Sequence, residues 1–270
     1  MDLDEAINCF VSRYQNPSTR KEALWALKTW GEHPEPNPVW KPATVHVLNT
    51  FVRSFCRWAK GQGLEVPGPP TGRLTCPPAV LRDIPDADAK MLLAAIDNER
   101  PAWRTFFTLL LETGMRCREG IRLKACDISW RPGEEYILVR SAKGGHGRSV
   151  PILSKMRSID LLRQIAAEVS LEAYVFPGLV RGRPLTASAA RYRFRSVCRK
   201  AGLMDDEDRP CYQIHQLRHT VAVRWLDAGV NARAVQHILG ASGRKTGCQP
   251  AMDDKLARDS LEQHAQELYP

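Results

Sequence analysis

Residues 214–242 read IHQLRHTVAVRWLDAGVNARAVQHILGAS, and they decide the fold together with TGMRCREGIRLKACDISW at 113–130. Arg116 and Arg218 each offer a planar, permanently charged, two-pronged donor edge that fits phosphate oxygens. Two such groups can hold a phosphate while charge builds on it. His215 titrates near neutrality, and Lys143 stands between the two stretches in AKGGHGRSVPI at 142–152. These two side chains can add proton transfer, so the set suits a phosphodiester.

The three stretches resemble the signature motifs of the tyrosine recombinases, the phage-integrase family. Residues 113–130 are similar to the motif that carries the family's first arginine, and residues 142–152 to its lysine hairpin. Residues 214–242 are similar to its His-x-Leu-Arg-His helix and the Leu-Gly that follows. The resemblance covers residues 85–242 and implies a DNA-binding, site-specific recombinase or integrase that breaks and rejoins DNA strands.

The resemblance also assigns roles to single residues. Arg116 and Arg218 match the two catalytic arginines, and Glu119 matches a residue that orients Arg116. Lys143 matches the general acid for the leaving 5′-hydroxyl, and His215 matches a residue that aids proton transfer and phosphate binding. In this family a tyrosine attacks the scissile phosphate to give a 3′-phosphotyrosyl link. Because the phosphotyrosyl link keeps the energy of the broken phosphodiester bond, the resemblance implies no cofactor. Because the arginines stabilise the charge that develops on the phosphate, it also implies no metal.

Two positions depart from the family pattern. The family usually has His or Trp directly after Leu-Gly, where this chain has Ala241, which cannot donate to a phosphate. The nucleophilic tyrosine usually follows at a spacing that here gives Pro250, and Tyr269 is the only tyrosine after Arg218. Tyr269 is therefore either a displaced nucleophile or an aromatic that packs a terminal helix. We favour packing, which leaves a catalytically inactive DNA-binding protein of the same fold as the alternative function.

The charge balance favours a polyanionic partner. The chain has 270 residues, with 39 Lys and Arg against 30 Asp and Glu, a net charge of +9 and a pI near 9.3. Cationic surfaces bind DNA through release of counterions from its backbone. With the resemblance, this predicts duplex DNA and further copies of the chain in a synaptic tetramer as partners. It also implies a cytoplasmic, DNA-associated protein of a mobile element.

Other classes of protein and site are not favoured. The apolar run 106–111 is too short to cross a membrane, and the acidic start MDLDEAINCF lacks the features of a signal peptide. The eight cysteines contain no C-x-x-C pair, which argues against a zinc site or a disulfide framework and fits a reducing cytoplasm. His215 and His219 share a helical face, but Gln216 stands where a zinc-protease motif needs glutamate. We therefore expect no metal, and a structural role for His219.

The periodicity predicts a mostly helical chain with a small antiparallel sheet, and the resemblance implies a catalytic fold preceded by a helical core-binding domain. We expect domains at 1–63 and 83–270, joined by a Pro- and Gly-rich linker at 64–82. Strands are predicted at 136–139 and 148–152. Helices are predicted at 20–30, 43–60, 86–96, 101–112, 155–169, 187–201, 215–228, 232–239 and 253–268.

Several further basic residues are candidate DNA contacts. Arg53, Arg57 and Lys60 can line one face of the helix at 43–60, as backbone contacts or as an ordinary solvated face. His146 and Arg148 lie on the hairpin that carries Lys143 and are assigned to phosphate or groove contacts. At the other end of the chain, 243–250 is predicted to be an arm and 253–268 a helix that docks on a neighbouring protomer.

Overall fold

The computed structural model describes residues 2–33, 40–68, 83–140, 147–240 and 250–269, with the side chains of 250–253 left out. The chain divides into two compact units, Met1–Val80 and Leu81–Pro270. Each unit has its own hydrophobic core.

The first unit is a three-helix bundle, in which α1 spans Leu3–Ser12, α2 Pro17–Glu32 and α3 Pro42–Gly61. Capping fixes the helix starts: Asp2 and Glu5 form a reciprocal capping box on α1, and the Asn16 side chain accepts from the first amides of α2. Edge-to-face and tilted aromatic contacts fill the interior, and they are made by Phe10, Tyr14, Trp30, Phe51, Phe55 and Trp58.

The second unit begins with α4 (Asp86–Asp97), α5 (Pro101–Thr113) and the single-turn α6 (Cys117–Ile121). Pro101 is the first residue of α5, where its missing N–H costs nothing. Gly114 ends the helix in the left-handed conformation, with φ of 61°. Arg116 therefore lies between two helices, immediately before the first turn of α6.

A three-stranded antiparallel sheet follows, in the order β1 (Ile128–Ser129), β2 (Tyr136–Val139) and β3 (Arg148–Pro151). Ile137 pairs with Ile128 on one side and with Val150 on the other. In the described residues that follow, the helices are α7 at Ile159–Ala167, α8 at Ala187–Lys200, α9 at Ile214–Asp227, α10 at Ala232–Leu239, α11 at Pro250–Gln263 and α12 at Ala265–Leu268. The expectation of a mostly helical chain with a small antiparallel sheet is confirmed.

Several predicted helices differ in their bounds, and for two of them the structure shows what sets the difference. The helix expected at 155–169 begins only at Ile159, because the amides of Arg157 and Ser158 donate to the buried carboxylate of Glu112 at 2.6 and 3.0 Å instead of continuing a helix. The helix expected at 253–268 begins at Pro250 and is interrupted at His264, whose Nδ1 lies 2.8 Å from the carbonyl of Ser260.

The helix α11 packs against α10 and β3 of its own chain. Ala257 and Leu261 are fully buried, and the Ser260 hydroxyl accepts from the amide of Asn231 at 2.9 Å. His237 and Asp254 join α10 to α11 at 2.6 Å. In this structure the helix packs on its own chain. Of the arm predicted at 243–250, residues 243–249 lie outside the described residues and Pro250 begins α11.

Among the described residues, no helix has both the length and the apolar character needed to span a membrane.

Candidate active site

Arg116 is held by Glu119 from the first turn of α6. The Glu119 carboxylate accepts from the backbone amide of Arg116 at 2.7 Å and from its guanidinium at 3.0 Å. The arginine side chain stays 46% exposed. The contact predicted between Glu119 and Arg116 is therefore present, and it fixes the guanidinium while leaving much of it open to solvent.

Arg218 is held by backbone carbonyl groups from two other elements. One terminal nitrogen donates to the carbonyl of Gly114 at 2.8 Å, and the other donates to the carbonyl of Leu239. Burial, with the charge of Arg116 adding to it, lowers the pKa of Arg218 to about 10. The two arginines, far apart in sequence, thus lie close enough to act on each other.

His215 lies on α9, three residues before Arg218. Burial lowers its pKa below the ordinary value, and the charges of His219, Arg218 and Arg116 add to the effect. The ring of His219 meets that of His215 edge to face, with centroids 4.9 Å apart. An anion bound beside His215 would act in the opposite direction and raise its pKa.

Arg148 lies in a different environment from the one predicted. Its two terminal nitrogens donate to the two oxygens of Glu119 at 3.0 and 2.7 Å, and its Nε donates to the carbonyl of Ile238 at 2.6 Å. The side chain is only 11% exposed. The described hydrogen bonds of Arg148 are made within the protein, because a desolvated guanidinium needs a carboxylate partner and Glu119 supplies it.

These hydrogen bonds form a closed ring that includes both Arg116 and Arg218. Glu119 accepts from both Arg116 and Arg148, Arg148 reaches the end of α10, and Arg218 joins the next carbonyl of α10 to Gly114. The backbone from Gly114 to Arg116 closes the ring. Burial acts to raise the pKa of Glu119, but the hydrogen bonds from Arg148 and Arg116 outweigh it and hold the pKa below its ordinary value. Glu119 is thus the anionic centre of a cationic site.

The carbonyl acceptors at Gly114, Ile238 and Leu239 were not predicted, and neither was the buried position of Arg148. Backbone acceptors leave little trace in a sequence. The one available signal was glycine, since Gly114 and Gly240 both adopt the left-handed conformation beside the arginines. Three other expectations, on Lys143, His146 and Ala241, lie outside the described residues.

Tyr269 lies in the core of the second unit and not on its surface. It is 8% exposed, and its hydroxyl donates to the carbonyl of Glu112 at 2.9 Å. Burial raises its pKa, although a hydrogen bond with Trp225 partly opposes the rise. A buried phenol whose hydroxyl donates to a carbonyl is a poor nucleophile as it stands. Pro250, at the expected position of the tyrosine, is the first residue of α11.

The three basic residues predicted in the first unit are exposed on α3. Arg53, Arg57 and Lys60 are spaced four and three residues apart, which places them on one side of the helix. Arg57 also lines an open pocket whose other walls include Phe10, Tyr14 and Trp58. Within the described ranges, no cluster of three His, Cys, Asp or Glu side chains could hold a metal ion.

The profile of the phage integrase family matches residues 82–246 of the chain. The tyrosine recombinase XerC of Rhodospirillum centenum is 33% identical over 207 residues, which cover 72% of this chain and 58% of that protein. The chain belongs to the phage integrase family. A second tyrosine recombinase of this family, XerA of Pyrococcus horikoshii, is 25% identical over 205 residues, covering 75% of this chain and 68% of the relative.

Solved structures agree on the fold of this family member. A lambda integrase tetramer bound to a Holliday junction matches with a TM-score of 0.69 at 17% identity, over 96% of this chain and 76% of the integrase. The XerH recombinase bound to its difH substrate matches with a TM-score of 0.60 at 19% identity, over 90% and 70% of the two chains. The predicted recombinase catalytic fold is therefore confirmed.

Proposed function

We propose that this protein is a site-specific recombinase that binds duplex DNA and breaks and rejoins its strands. The ring that brings Arg116 and Arg218 together carries the proposal. Two guanidinium groups from distant motifs lie near enough for their charges to act on each other and on His215, and that arrangement suits a phosphodiester. XerC, XerA and XerH are named as recombinases, and the matched XerH and lambda integrase structures contain DNA.

The two arginines are suited to different parts of the same task. Arg218 directs two of its five N–H groups to carbonyl oxygens of the protein, so its orientation is fixed before any phosphate arrives. Arg116 is more exposed and is held from one side by Glu119. Preorganised donors stabilise developing charge without reorganising during the reaction, which is where most of their catalytic effect originates.

Proton transfer is assigned to His215 and Lys143. A phosphate bound beside His215 adds negative charge and raises its pKa, so the ring can carry a proton near neutral pH. Lys143 is proposed to protonate the leaving 5′-hydroxyl, on its match to the lysine of the family motif. These assignments require neither a metal nor a cofactor.

The remaining contacts to DNA are proposed for the first unit. Arg53, Arg57 and Lys60 are exposed along one side of α3 and suit phosphate oxygens, which fix the position of a protein on a duplex. In the same proposal the protein acts on cytoplasmic DNA of a mobile element and associates with further copies of itself in a synaptic tetramer. A tetramer is named for the lambda integrase structure that matches this chain.

One observation supports a second candidate function, a DNA-binding protein of this fold without strand cleavage. Tyr269, the only tyrosine after Arg218, is buried and donates to the carbonyl of Glu112. Strand cleavage by Tyr269 requires the end of the chain to leave this buried position and to bring the tyrosine to the arginines of its own protomer or of a neighbouring one.

A covalent adduct on DNA separates the two candidates. Duplexes that the protein selects from a random pool are nicked near the selected site, so that a cleaved strand cannot be religated. An adduct that resists denaturation, forms with wild type and is lost in Arg218→Gln supports the recombinase. Wild-type binding without an adduct at any nick position would overturn it in favour of the second candidate.

The Tyr269→Phe variant identifies the nucleophile. Loss of the adduct with DNA binding intact assigns strand cleavage to Tyr269. An adduct that persists in this variant assigns cleavage to one of the other five tyrosines of the chain, which peptide mapping of the adduct then names.

A further inference from the structure

Arg148 contacts the carboxylate that supports Arg116 and the carbonyl next in sequence to one that supports Arg218. Through its two terminal nitrogens it holds the carboxylate that fixes Arg116, with distances of 3.0 and 2.7 Å to Glu119. Through Nε it holds the carbonyl of Ile238, which is adjacent in sequence to the carbonyl that accepts from Arg218. No other side chain among the described hydrogen bonds contacts both Glu119 and the end of α10.

The protein is built closely around this side chain. Arg148 is 11% exposed and Glu119 is 16% exposed, so both charges are largely withdrawn from water. Gly240 has φ of 60°, and a Cβ at that position would lie 3.1 to 3.2 Å from Cδ, Nε and a terminal nitrogen of Arg148. The backbone at the end of α10 thus rests directly on the guanidinium. A smaller or differently shaped cation would leave part of this contact unmade.

We propose that Arg148 is a positioning residue that sets Arg116 and Arg218 together. It acts through Glu119 on one arginine and through the end of α10 on the other, and it makes no contact with DNA itself. This inference rests on the proposed function, since it assumes that the two arginines hold a DNA phosphate. It replaces the DNA contact that the sequence suggested for Arg148.

The proposal predicts non-additive effects on DNA binding. Arg148→Met should weaken binding to a selected duplex by about 10- to 100-fold, the factor that a hydrogen bond to a charged group typically supplies. Since the loss acts through Arg116 and Arg218, adding Arg148→Met to an Arg116→Gln, Arg218→Gln double variant should cost little more. A direct contact between Arg148 and DNA would instead give factors that multiply.

Arg140, directly after β2, provides a matched control. Its Nε lies 2.6 Å from the buried carboxylate of Asp127, but its side chain is 65% exposed and it forms no described contact with the ring. Arg140→Met removes the same charge and a comparable ion pair, so it should leave the affinity for DNA within about twofold of wild type at moderate salt. An equal loss in both variants would overturn the proposal, because net charge alone would explain it.

A spectroscopic measurement separates positioning from loss of stability. Arg116 and Arg218 lower the pKa of His215, whereas Arg148 is not among the groups that act on it. Displacement of the two arginines in Arg148→Met should therefore raise the pKa of His215, measured by NMR titration of its ring protons. An unchanged pKa in a folded variant would overturn the proposal.

Two further variants keep the test decisive if Arg148→Met does not fold. Glu119→Gln with Arg148→Met removes both buried charges together, and Arg148→Lys keeps one charge without the planar fork. Both should raise the pKa of His215 and weaken DNA binding. If Arg116→Gln and Arg218→Gln leave DNA binding unchanged, the proposed phosphate site fails. If they weaken it while all Arg148 variants bind as wild type does, the positioning role alone fails.

Discussion

Gly114 offers the sharpest test of how the backbone supports Arg218. Its φ is 61°, a conformation that costs a residue with a side chain roughly 1–2 kcal/mol. A Cβ added there would lie 2.6 Å from Cδ2 of Leu239 and 3.3 Å from Cγ1 of Val221. Overpacking of this kind typically costs about 1–3 kcal/mol. Gly114→Ala should therefore lower the free energy of unfolding by about 2–5 kcal/mol in total.

Gly133 separates the two contributions to this loss. It also has a positive φ, of 80°, but a Cβ there would meet nothing within 4 Å. Gly133→Ala should cost only the backbone part, about 1–2 kcal/mol. Both residues lie in the unit Leu81–Pro270, so the same urea transition reports on both variants.

The functional consequence should separate the variants further. The carbonyls of Gly114 and Leu239 are the described acceptors of Arg218, and a methyl group added at Gly114 would push against Leu239. DNA binding should therefore weaken in Gly114→Ala and stay at the wild-type level in Gly133→Ala, under conditions where both are folded. Equal destabilisation and equal DNA affinity in the two variants would refute the reasoning.

Three further predictions concern the same unit. Tyr269→Phe removes a buried hydrogen bond to Glu112 and should lower the free energy of unfolding by about 1 kcal/mol, measured by urea denaturation; no change would contradict the described position of the hydroxyl. The pKa of His215 is low in the free protein, and a bound phosphate should raise it. The affinity for DNA should therefore be full below the pKa of the free protein and fall as the pH rises through the pKa of the complex. A His215→Gln variant that keeps this pH dependence would contradict the assignment. Arg116→Gln should reduce the slope of log affinity against log salt by about one, and an unchanged slope would exclude a phosphate contact.

Much of the fold follows from local patterns. The apolar spacing and the cap residues predict α10 at 232–239 and the end of α5 at Gly114, because both ends are marked by glycine in the left-handed conformation. The β-rich stretches 136–139 and 148–152 likewise predict β2 and β3, of which β3 ends one residue earlier, at Pro151. The five-residue α6 is too short to show a period, and its start is set by the contact of Glu119 with the Arg116 amide.

The candidate site is only partly predictable, because many of its contacts join residues that lie far apart in the chain. Motifs mark Arg116, His215 and Arg218 as a set, but they do not show which groups hold them. Arg148 stands beside a lysine motif and suggests a DNA contact, whereas its partners lie 29 and 90 residues away in the chain. The buried position of the Tyr269 hydroxyl depends on a hydrogen bond to the backbone of Glu112, which lies 157 residues away in the chain. Contacts of this range follow from tertiary packing, which local patterns do not encode.

The central claim, that Arg116 and Arg218 hold one phosphate, can be measured on a selected duplex by methylphosphonate substitution. Each phosphate is neutralised in turn, and the affinity is compared for wild type, Arg116→Gln and Arg218→Gln. The account predicts one phosphate at which neutralisation weakens wild type strongly and both variants hardly at all, since each has already lost a contact there. Sensitivity that disappears at a different phosphate in each variant, or at none, would contradict it.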